Sequence, residues 1–223
     1  MHGPFAWFKW QALFTQWPIF AEGLAVTAAT AVLALLLALV LGVVFGIMNS
    51  SNAGPLRAFG RVYVEFIQNT PLVVQVFFLY NGLPYVHIVL PVFAVGVIGV
   101  GVYHGAYVAE VVRAGIQSIS RGQVEAAYSQ GFNFWLTMRY VVLPQAVRVV
   151  LPPLTNQAIF LVKNTSVLAM VAGGDLMYQA DSWAADSLNY GPAYVVTGLL
   201  YLAICFPLSR VARRLETRTE ARA

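Results

Sequence analysis

Charged residues are scarce in this chain. Only 10% of its 223 residues are Asp, Glu, Lys or Arg, whereas 59% are hydrophobic. An average soluble domain has about a quarter of its residues charged, so a soluble fold of this length would leave too much apolar surface uncovered. The composition therefore excludes a soluble domain and indicates an integral membrane protein. The net charge of +4 indicates basic loops beside a membrane, not a surface that binds nucleic acid.

Metal ligands, disulfide partners and phosphate loops are also missing. Cys205 is the single cysteine, and the histidines at positions 2, 87 and 104 are scattered, so no pair has the spacing of metal ligands. No GxxxxGK[ST] motif is present, so the chain cannot bind ATP by that route. We therefore expect no metal and no cofactor here, and His104 is expected to be a hydrogen-bonded packing residue.

Long apolar runs are what the chain has in abundance. They cover residues 24–48, 62–79, 88–112, 135–171 and 190–208. About 20 apolar residues suffice for a helix to cross a bilayer. The sequence predicts an all-α integral membrane protein, with residues 1–223 forming a single domain of about five transmembrane helices. Residues 1–21 are rich in Trp and Phe, lack the basic start of a signal peptide, and are predicted to lie at the membrane interface.

An odd number of spans places the two ends of the chain on opposite sides of the membrane. Arginines fall mainly on one side: Arg57, Arg61, Arg113, Arg121, Arg139, Arg148 and those of the tail. Acidic residues fall mainly on the other: Glu22, Asp175, Asp181 and Asp186. The positive-inside rule therefore predicts an external N-terminus and a cytoplasmic basic tail over residues 209–223.

The second span carries polar residues that are costly in lipid. Glu65, Gln68 and Gln75 share one face of a regular helix, and Pro71 is expected to kink it and leave the Ile67 carbonyl unpaired. This stripe is predicted to face protein or a water-filled path. Hydrogen bonding between helices is the alternative interpretation.

The first span contains a motif that allows close helix packing. Gly42 and Gly46 are four residues apart, which lets a second helix approach closely. A lipid-facing helix with incidental glycines is the alternative.

A polar segment, residues 120–144, interrupts the apolar pattern. Ser120 and Gln123 have the spacing of a capping box, and Glu125 follows in what is predicted to be the first helical turn. Gly131 supplies a stop, because glycine adopts a left-handed conformation without penalty. The segment is predicted to contain a short cytoplasmic surface helix.

The spacing of this segment resembles the EAA loop of ABC importer membrane subunits. Glu125-Ala126-Ala127 is followed by Gly131 and then by Leu143-Pro144, with Val141 where that family usually has Ile. The stretches Asn69-Thr70-Pro71 with Gln75, and Lys163-Asn164-Thr165-Ser166, resemble the polar amino acid branch of the same family.

That resemblance implies a permease of the type I importer fold in a bacterial plasma membrane. It implies four kinds of protein and ligand partner: a dimer of ABC ATPase subunits that binds the ATP, a second identical or similar permease subunit, an extracytoplasmic amino-acid-binding protein, and a polar amino acid. The residues implied to couple the chain to the ATPase are Glu125, Ala126, Ala127, Gly131, Leu143 and Pro144.

Lys163 is the only lysine within the predicted spans, and a charge at that depth needs a partner or water. Many relatives have Asp after this lysine, whereas this chain has Asn164. We predict that Lys163 meets the carboxylate of an acidic or neutral amino acid such as glutamate, glutamine or aspartate, because like charges repel. The predicted substrate path comprises Lys163, Asn164, Thr165 and Ser166, facing Gln75 and Asn69, together with Thr70, Asn156 and Glu65. A structural ion pair of Lys163 with Glu65 or Glu110 is the alternative.

Other functions remain open from the residues alone. An ion-coupled secondary amino acid transporter would often show internal repeats, and five spans do not divide into equal halves. An ABC permease for basic amino acids is a further alternative. A membrane-embedded enzyme would need a nucleophile and base, or metal ligands, and neither is legible.

Overall fold

The computed structural model describes the backbone of residues 3–220 and the side chains of residues 3–217. Met1, His2 and the arginine side chains at 218 and 222 lie outside this range. The helices are α1 (Trp7–Thr15), α2 (Trp17–Ser50), α3 (Gly54–Gln68), α4 (Leu72–Phe77), α5 (Val92–Gln117), α6 (Arg121–Ser129), α7 (Phe134–Thr137), α8 (Leu143–Asn164), α9 (Leu176–Ser187) and α10 (Tyr190–Glu220). The described part of the chain contains helices and loops but no strand.

Four helical stretches are long and apolar enough to cross a bilayer: Trp17–Ser50, Val92–Gln117, Phe134–Val171 and Tyr190–Thr217. Gly54–Gln68 and Leu72–Val86 pass the same test only together, with a bend of 98° between them. The all-α membrane fold predicted from the sequence is confirmed.

Glycine pairs hold α2 closely against α5. A Cβ atom on Gly42 would lie 2.1 Å from Val108 Cγ1, and Gly46 makes a similar contact one turn further along. In return, a Cβ atom on Gly101 of α5 would lie 2.8 Å from Leu37 Cδ2. The predicted close approach is confirmed, and the lipid-facing alternative for the glycines of α2 is wrong.

The contacts between α2 and α5 also fix their relative direction. Thr30 lies against Gly96, and Gly46 lies against Val112, so residue numbers rise together along both helices. The two helices are therefore parallel and enter the bundle from the same end. Because parallel neighbours need a returning segment between them, residues 51–91 run back along the full height of the bundle.

The returning segment is the bent pair α3 and α4, which runs antiparallel to α5. Gln68 Nε2 donates to the Ala106 carbonyl at 3.3 Å, and further along the chain Val76 packs against Gly99. We therefore count the bent pair as one broken span, which gives the five spans predicted.

Pro71 breaks the second span instead of only kinking it. The helix stops at Gln68, and Pro71 caps a new helix with extended backbone angles, φ −58° and ψ 137°. Proline has no amide hydrogen and disfavours helical geometry in the residue before it. The predicted common face of Glu65, Gln68 and Gln75 is therefore wrong, because Gln75 belongs to the helix beyond the bend.

The fourth span stays helical despite its prolines. A π-helical turn, Met138–Val142, precedes Leu143, and α8 then continues through Pro152 and Pro153 to Asn164. These prolines therefore do not end the helix, although proline lacks the amide that a helix interior uses. A 3₁₀ segment, Thr165–Val171, completes the span, and the left-handed residues Ala172 and Gly174 end it.

The fifth span extends beyond its predicted limit. The structure continues α10 to Glu220, so residues 209–220 of the predicted tail are helical and contiguous with the span. At the opposite end, α9 packs on α2 and α10 through a buried cluster that includes Phe20, Leu176 and Trp183. The five spans and α9 therefore form one packed bundle.

Candidate functional site

The exposed helix α6 lies between the third and fourth spans. Glu125 and Ala126 are exposed on it, whereas Ala127 is buried against the following segment. Leu143 and Pro144 begin α8 just after the π-helical turn and are also exposed. The residues matched to the EAA loop thus lie on α6 and on the first turn of the next span.

A Schellman motif ends α6 sharply. Gly131 has φ +84°, its amide donates to the Tyr128 carbonyl at 2.9 Å, and the Phe132 amide donates to the Ala127 carbonyl at 3.1 Å. This pair of bonds defines the motif and needs a left-handed residue at its centre. The predicted stop at Gly131 is confirmed.

The start of α6 differs from the predicted capping box. Ser120 is the N-cap residue with extended backbone angles, but its hydroxyl accepts no capping bond from a described residue. Glu125 is the fifth residue of the helix, so it lies in the second turn and not in the first. The charge of Glu125 therefore lies beyond the turn where the helix dipole acts most strongly.

The side chains at the break of the second span are occupied by its backbone. Gln75 Nε2 donates to the Ile67 carbonyl at 3.0 Å and to the Thr70 carbonyl at 2.9 Å. Asn69 Nδ2 donates to the Glu65 carbonyl and Thr70 Oγ1 to the Phe66 carbonyl. The Ile67 carbonyl, predicted to be unpaired, is therefore satisfied by Gln75, a partner that local spacing did not reveal.

Lys163 lies in a groove between the end of α8 and the start of α10. Its Nζ atom stands 4.5 Å from the centre of the Phe160 ring, a cation–π contact. The groove has a volume of about 330 Å³ and is lined by Lys163, Ser166, Met177, Tyr194, Thr197, Gly198 and Tyr201. Lys163 is exposed and forms no salt bridge with a described residue, so the alternative of a structural ion pair with Glu65 or Glu110 is wrong.

Glu110 instead pairs with Arg113 on its own helix, with Glu110 Oε2 and Arg113 Nη2 2.7 Å apart. Glu65 faces Arg61 at 4.0 Å in a charged cleft between α3 and α5. Neither carboxylate reaches the groove.

Asn164 turns away from the groove toward α5. Its Nδ2 atom lies 3.0 Å from His104 Nε2, and His104 Nδ1 lies 3.3 Å from Gln157 Oε1. His104 is buried, so the expectation of a hydrogen-bonded packing histidine is confirmed. Thr165 is also fully buried and donates to the Val162 carbonyl. Within the described chain, the groove therefore contains Lys163 and Ser166 but not their two intervening neighbours.

The remaining predicted path residues lie apart from the groove. Asn156 Nδ2 donates to Glu216 Oε1 at 3.0 Å, near the far end of α10. Gln75 and Asn69 lie at the break of the second span, so the predicted juxtaposition of Lys163 with them is not observed within the described chain. The hydroxyl residues of α10 in the groove were missed, because their positions in an apolar run gave no signal.

A buried carboxylate lies just outside the fourth span. Asp175 caps α9, where its Oδ2 atom accepts from the Met177 amide at 3.0 Å, and the residue is fully buried. Burial raises the pKa of Asp175 to about 6, although backbone hydrogen bonds from Met177 and Tyr178 oppose the shift. Its neighbour Leu176 donates its amide to Thr27 Oγ1, which ties the start of α9 to α2.

The structure combines five spans with an exposed, firmly capped helix between the third and fourth spans and with an open polar groove. Together these features define a membrane-embedded transport subunit. Residues 38–221 match the family described as binding-protein-dependent transport system inner membrane component. The chain belongs to this family, which makes it a multi-pass inner-membrane transport component and not an enzyme. Permeases of this family work with a separate ATPase and a substrate-binding protein.

Individual relatives are similar over nearly the full chain. The probable glutamine ABC transporter permease protein GlnM of Bacillus subtilis is 43% identical over 208 residues, which cover 93% of this chain and 96% of the relative. The glutamine transport system permease protein GlnP of Escherichia coli is 35% identical and covers 95% of this chain and 97% of the relative.

Solved structures give the same result for the fold. A crystal structure of an amino acid ABC transporter with histidines matches with a TM-score of 0.87 and 33% identity, covering 93% of this chain and 97% of that one. The MetNI methionine ABC transporter matches with a TM-score of 0.65 at 18% identity, covering 88% and 94%, and therefore supports the fold alone.

Proposed function

We propose that this chain is the permease subunit of an ATP-driven importer of polar amino acids, with glutamine and acidic amino acids as the favoured substrates. The observation that carries the proposal is Lys163, which forms no salt bridge with a described residue and lies in a groove whose other polar side chains are hydroxyl groups, one of which, that of Tyr194, donates to Asp181 Oδ1. An ammonium group without a carboxylate partner is suited to the carboxylate of an incoming amino acid. The names of the relatives, two of them glutamine permeases, support the same substrate class.

The same groove disfavours cationic substrates. A lysine or arginine side chain entering it would meet Lys163 at close range, where like charges repel. The residue after Lys163, which the family resemblance gives as Asp in many relatives, is here Asn164, and it is bonded to His104 outside the groove.

The helix α6 is proposed to transmit the movement of the ATPase. Its Schellman cap and its buried Ala127 fix it to the following segment, so a push on α6 reaches the fourth span as a rigid-body displacement. We propose that Glu125, Ala126, Ala127 and Gly131, with Leu143 and Pro144, form this docking element. Two copies of the permease, identical or similar, would enclose the path above two ATPase subunits.

The orientation is proposed from the distribution of charge over the bundle. The end that carries α6 also carries Arg57, Arg61 and Arg113, whereas α9 with its aspartates lies at the other. By the positive-inside rule the α6 end is cytoplasmic and the N-terminus is outside.

Uptake by the reconstituted complex tests the proposed substrate. Lys163→Ala is expected to lower uptake of glutamine and glutamate by about tenfold, the effect of losing one charge-assisted hydrogen bond. Ser166→Asp, which places a carboxylate in the groove beside Lys163, is expected to shift preference toward arginine and lysine. Lys9→Ala, at the only other lysine of the chain, is the matched control. Unchanged uptake and preference in both groove variants would contradict the proposal.

A further inference from the structure

A second polar cavity lies at the end of the bundle opposite α9. It has a volume of about 570 Å³ and opens between the end of α2, α3 and the last turns of α5. Its lining includes Asn49, Arg57, Arg61, Glu65, Glu110 and Arg113. We call it the charged cleft.

The wall that α5 contributes is internally neutral. Arg113 donates through Nε and Nη2 to both oxygens of Glu110, with distances of 2.7 to 3.1 Å, and through Nη1 to Gln117 Oε1 at 2.6 Å. Both charges are thereby compensated and their positions fixed. This wall supplies a rigid polar surface, not a free charge.

The wall that α3 contributes keeps its charges available. Arg57, Arg61 and Glu65 are four residues apart in turn, so they lie on one helical face. Arg61 and Glu65 approach only to 4.0 Å and are 64% and 68% exposed, and Arg57 forms no salt bridge with a described residue. Since exposed ion pairs of this kind contribute little to stability, these side chains can leave each other to bind a ligand.

A buried acceptor lies between the two walls. Asn49 is 6% exposed, and its Oδ1 atom has no hydrogen-bond partner among the described residues. Gly60 makes room for it, because a Cβ atom there would lie 2.4 Å from Asn49 Oδ1. The oxygen is packed against α3 and has almost no surface that a ligand in the cleft could reach, so the charges of α3 supply the ligand contacts.

We propose that the charged cleft binds the zwitterionic head group of an amino acid as it leaves the transport path. The α-ammonium group is received by Glu65, and the α-carboxylate by Arg57 and Arg61. The proposal rests on the proposed import of amino acids and adds a release site distinct from the Lys163 groove.

The charges of the cleft favour a zwitterion over a simple anion or cation. A phosphate or a lipid head group carrying only negative charge would lie against Glu65, and a cation would lie against two arginines. A head group with both charges close together pairs with the charges of both signs on α3. Because the cleft contacts only the head group, it binds amino acids without distinguishing their side chains, as a release site requires.

Binding measurements on the complex of permease and ATPase, in nanodiscs and without the binding protein, test this site. The background is Lys163→Ala, so that the groove does not contribute. The probes are glutamine, its carboxamide glutaminamide, which lacks the α-carboxylate, and glutaramate, which lacks the α-ammonium. Glutamine is expected to bind, and each analogue is expected to bind about tenfold more weakly.

Variants of the cleft then assign each charge. Glu65→Gln should weaken glutamine about tenfold and leave glutaramate unchanged, and Arg61→Gln should weaken glutamine equally and leave glutaminamide unchanged. Glu22→Gln and Arg210→Gln, which lie outside the cleft, are the matched controls. Thermal unfolding of each variant confirms that it is folded.

Two results would overturn the proposal. One is equal binding of the three probes, or an equal loss of all three in each variant, which would assign the cleft a structural role. The other is glutamine binding that disappears in Lys163→Ala alone, which would leave the groove as the single site. If either result is found while uptake is intact, only the proposed release site in the cleft is refuted. If the complete importer takes up no amino acids, the proposed function itself is refuted.

Discussion

Gln75 stabilises the broken span by replacing backbone hydrogen bonds that Pro71 and the bend remove. Its two bonds, to the carbonyls of Ile67 and Thr70, join the end of α3 to the start of α4. In a membrane these carbonyls have few other donors, so the cost of leaving them unpaired is high. The residue that looks like a path residue in the sequence is therefore a structural clamp.

Gln75→Leu is expected to destabilise the permease by about 1–3 kcal/mol, because the Thr70 carbonyl loses its side-chain donor and the Ile67 carbonyl keeps only the 3.4 Å bond from the Thr70 amide. Differential scanning fluorimetry of the purified permease in detergent measures this as a lower Tm. Gln11→Leu, an exposed glutamine of α1, is the control and is expected to change the Tm little. A Tm unchanged by Gln75→Leu would contradict the clamp.

Asp175 is predicted to make stability dependent on pH. Its pKa of about 6 lies above the value of about 3.9 in an unfolded chain, so the fold favours the neutral carboxyl. Stability from this residue is therefore full below pH 4 and is lost as pH rises through 6, by on the order of 2–3 kcal/mol.

Asp175→Asn keeps the capping oxygen and removes the titration. The variant is expected to gain in Tm over the wild type at pH 7.5 and to gain less at pH 5. Asp186→Asn, an exposed aspartate of the same helix, is the control. An equal difference in Tm at both pH values would show that Asp175 does not titrate with folding.

At the scale of one element, α6 owes its sharp end to a single backbone conformation. A Cβ atom added at Gly131 would meet no described atom within 4 Å, so a substitution there acts through its positive φ and not through a clash. Gly122, near the start of the same helix, also faces open space but has no positive φ. A comparison of substitutions at the two glycines therefore separates the effect of backbone strain from the effect of added side-chain bulk.

Gly131→Val is expected to strain the cap by about 1–2 kcal/mol or more and to loosen α6. ATP hydrolysis stimulated by the loaded binding protein should fall about fivefold or more, while substrate affinity of the binding protein stays unchanged. Gly122→Ala, the matched control, should retain stimulation. A Gly131→Val importer with wild-type stimulation would refute the proposed role of α6 in coupling.

At the scale of the whole molecule, the parallel pairing of α2 and α5 requires one crossing between them, and the two spans that follow bring the number of crossings to five. In a Cys205→Ala background, a cysteine added after Ala223 is expected to react with an impermeant maleimide only in inverted vesicles. A cysteine replacing Ser187, at the end of α9, is expected to react in intact cells. Labelling of both positions from the same side would contradict five spans and the proposed orientation.

The sequence predicts the spans, the stop at Gly131 and the close glycine packing, because each follows from local composition or spacing. Around Lys163, some side chains point into the groove and others into the interior. The helix changes there from α to 3₁₀, so the angle between successive side chains changes, and a helical wheel drawn for a regular α-helix does not predict their directions. The bond of Asn164 to His104 joins residues 60 positions apart, and the hydroxyls of α10 reach the groove only through tertiary packing. Local sequence patterns contain neither relation.

The glycine contacts between α2 and α5 also impose an order on biosynthesis. Gly42 and Gly46 emerge from the ribosome more than 60 residues before their partners Val108 and Val112. Until α5 has entered the bilayer, the small-residue face of α2 has no native partner, although α3 can already pack on α2 through the stacked rings of Phe45 and Tyr63. A nascent chain arrested before residue 92 would expose that face to quality-control proteases. The bundle can therefore reach its final arrangement only after α5, the third span, has inserted into the bilayer.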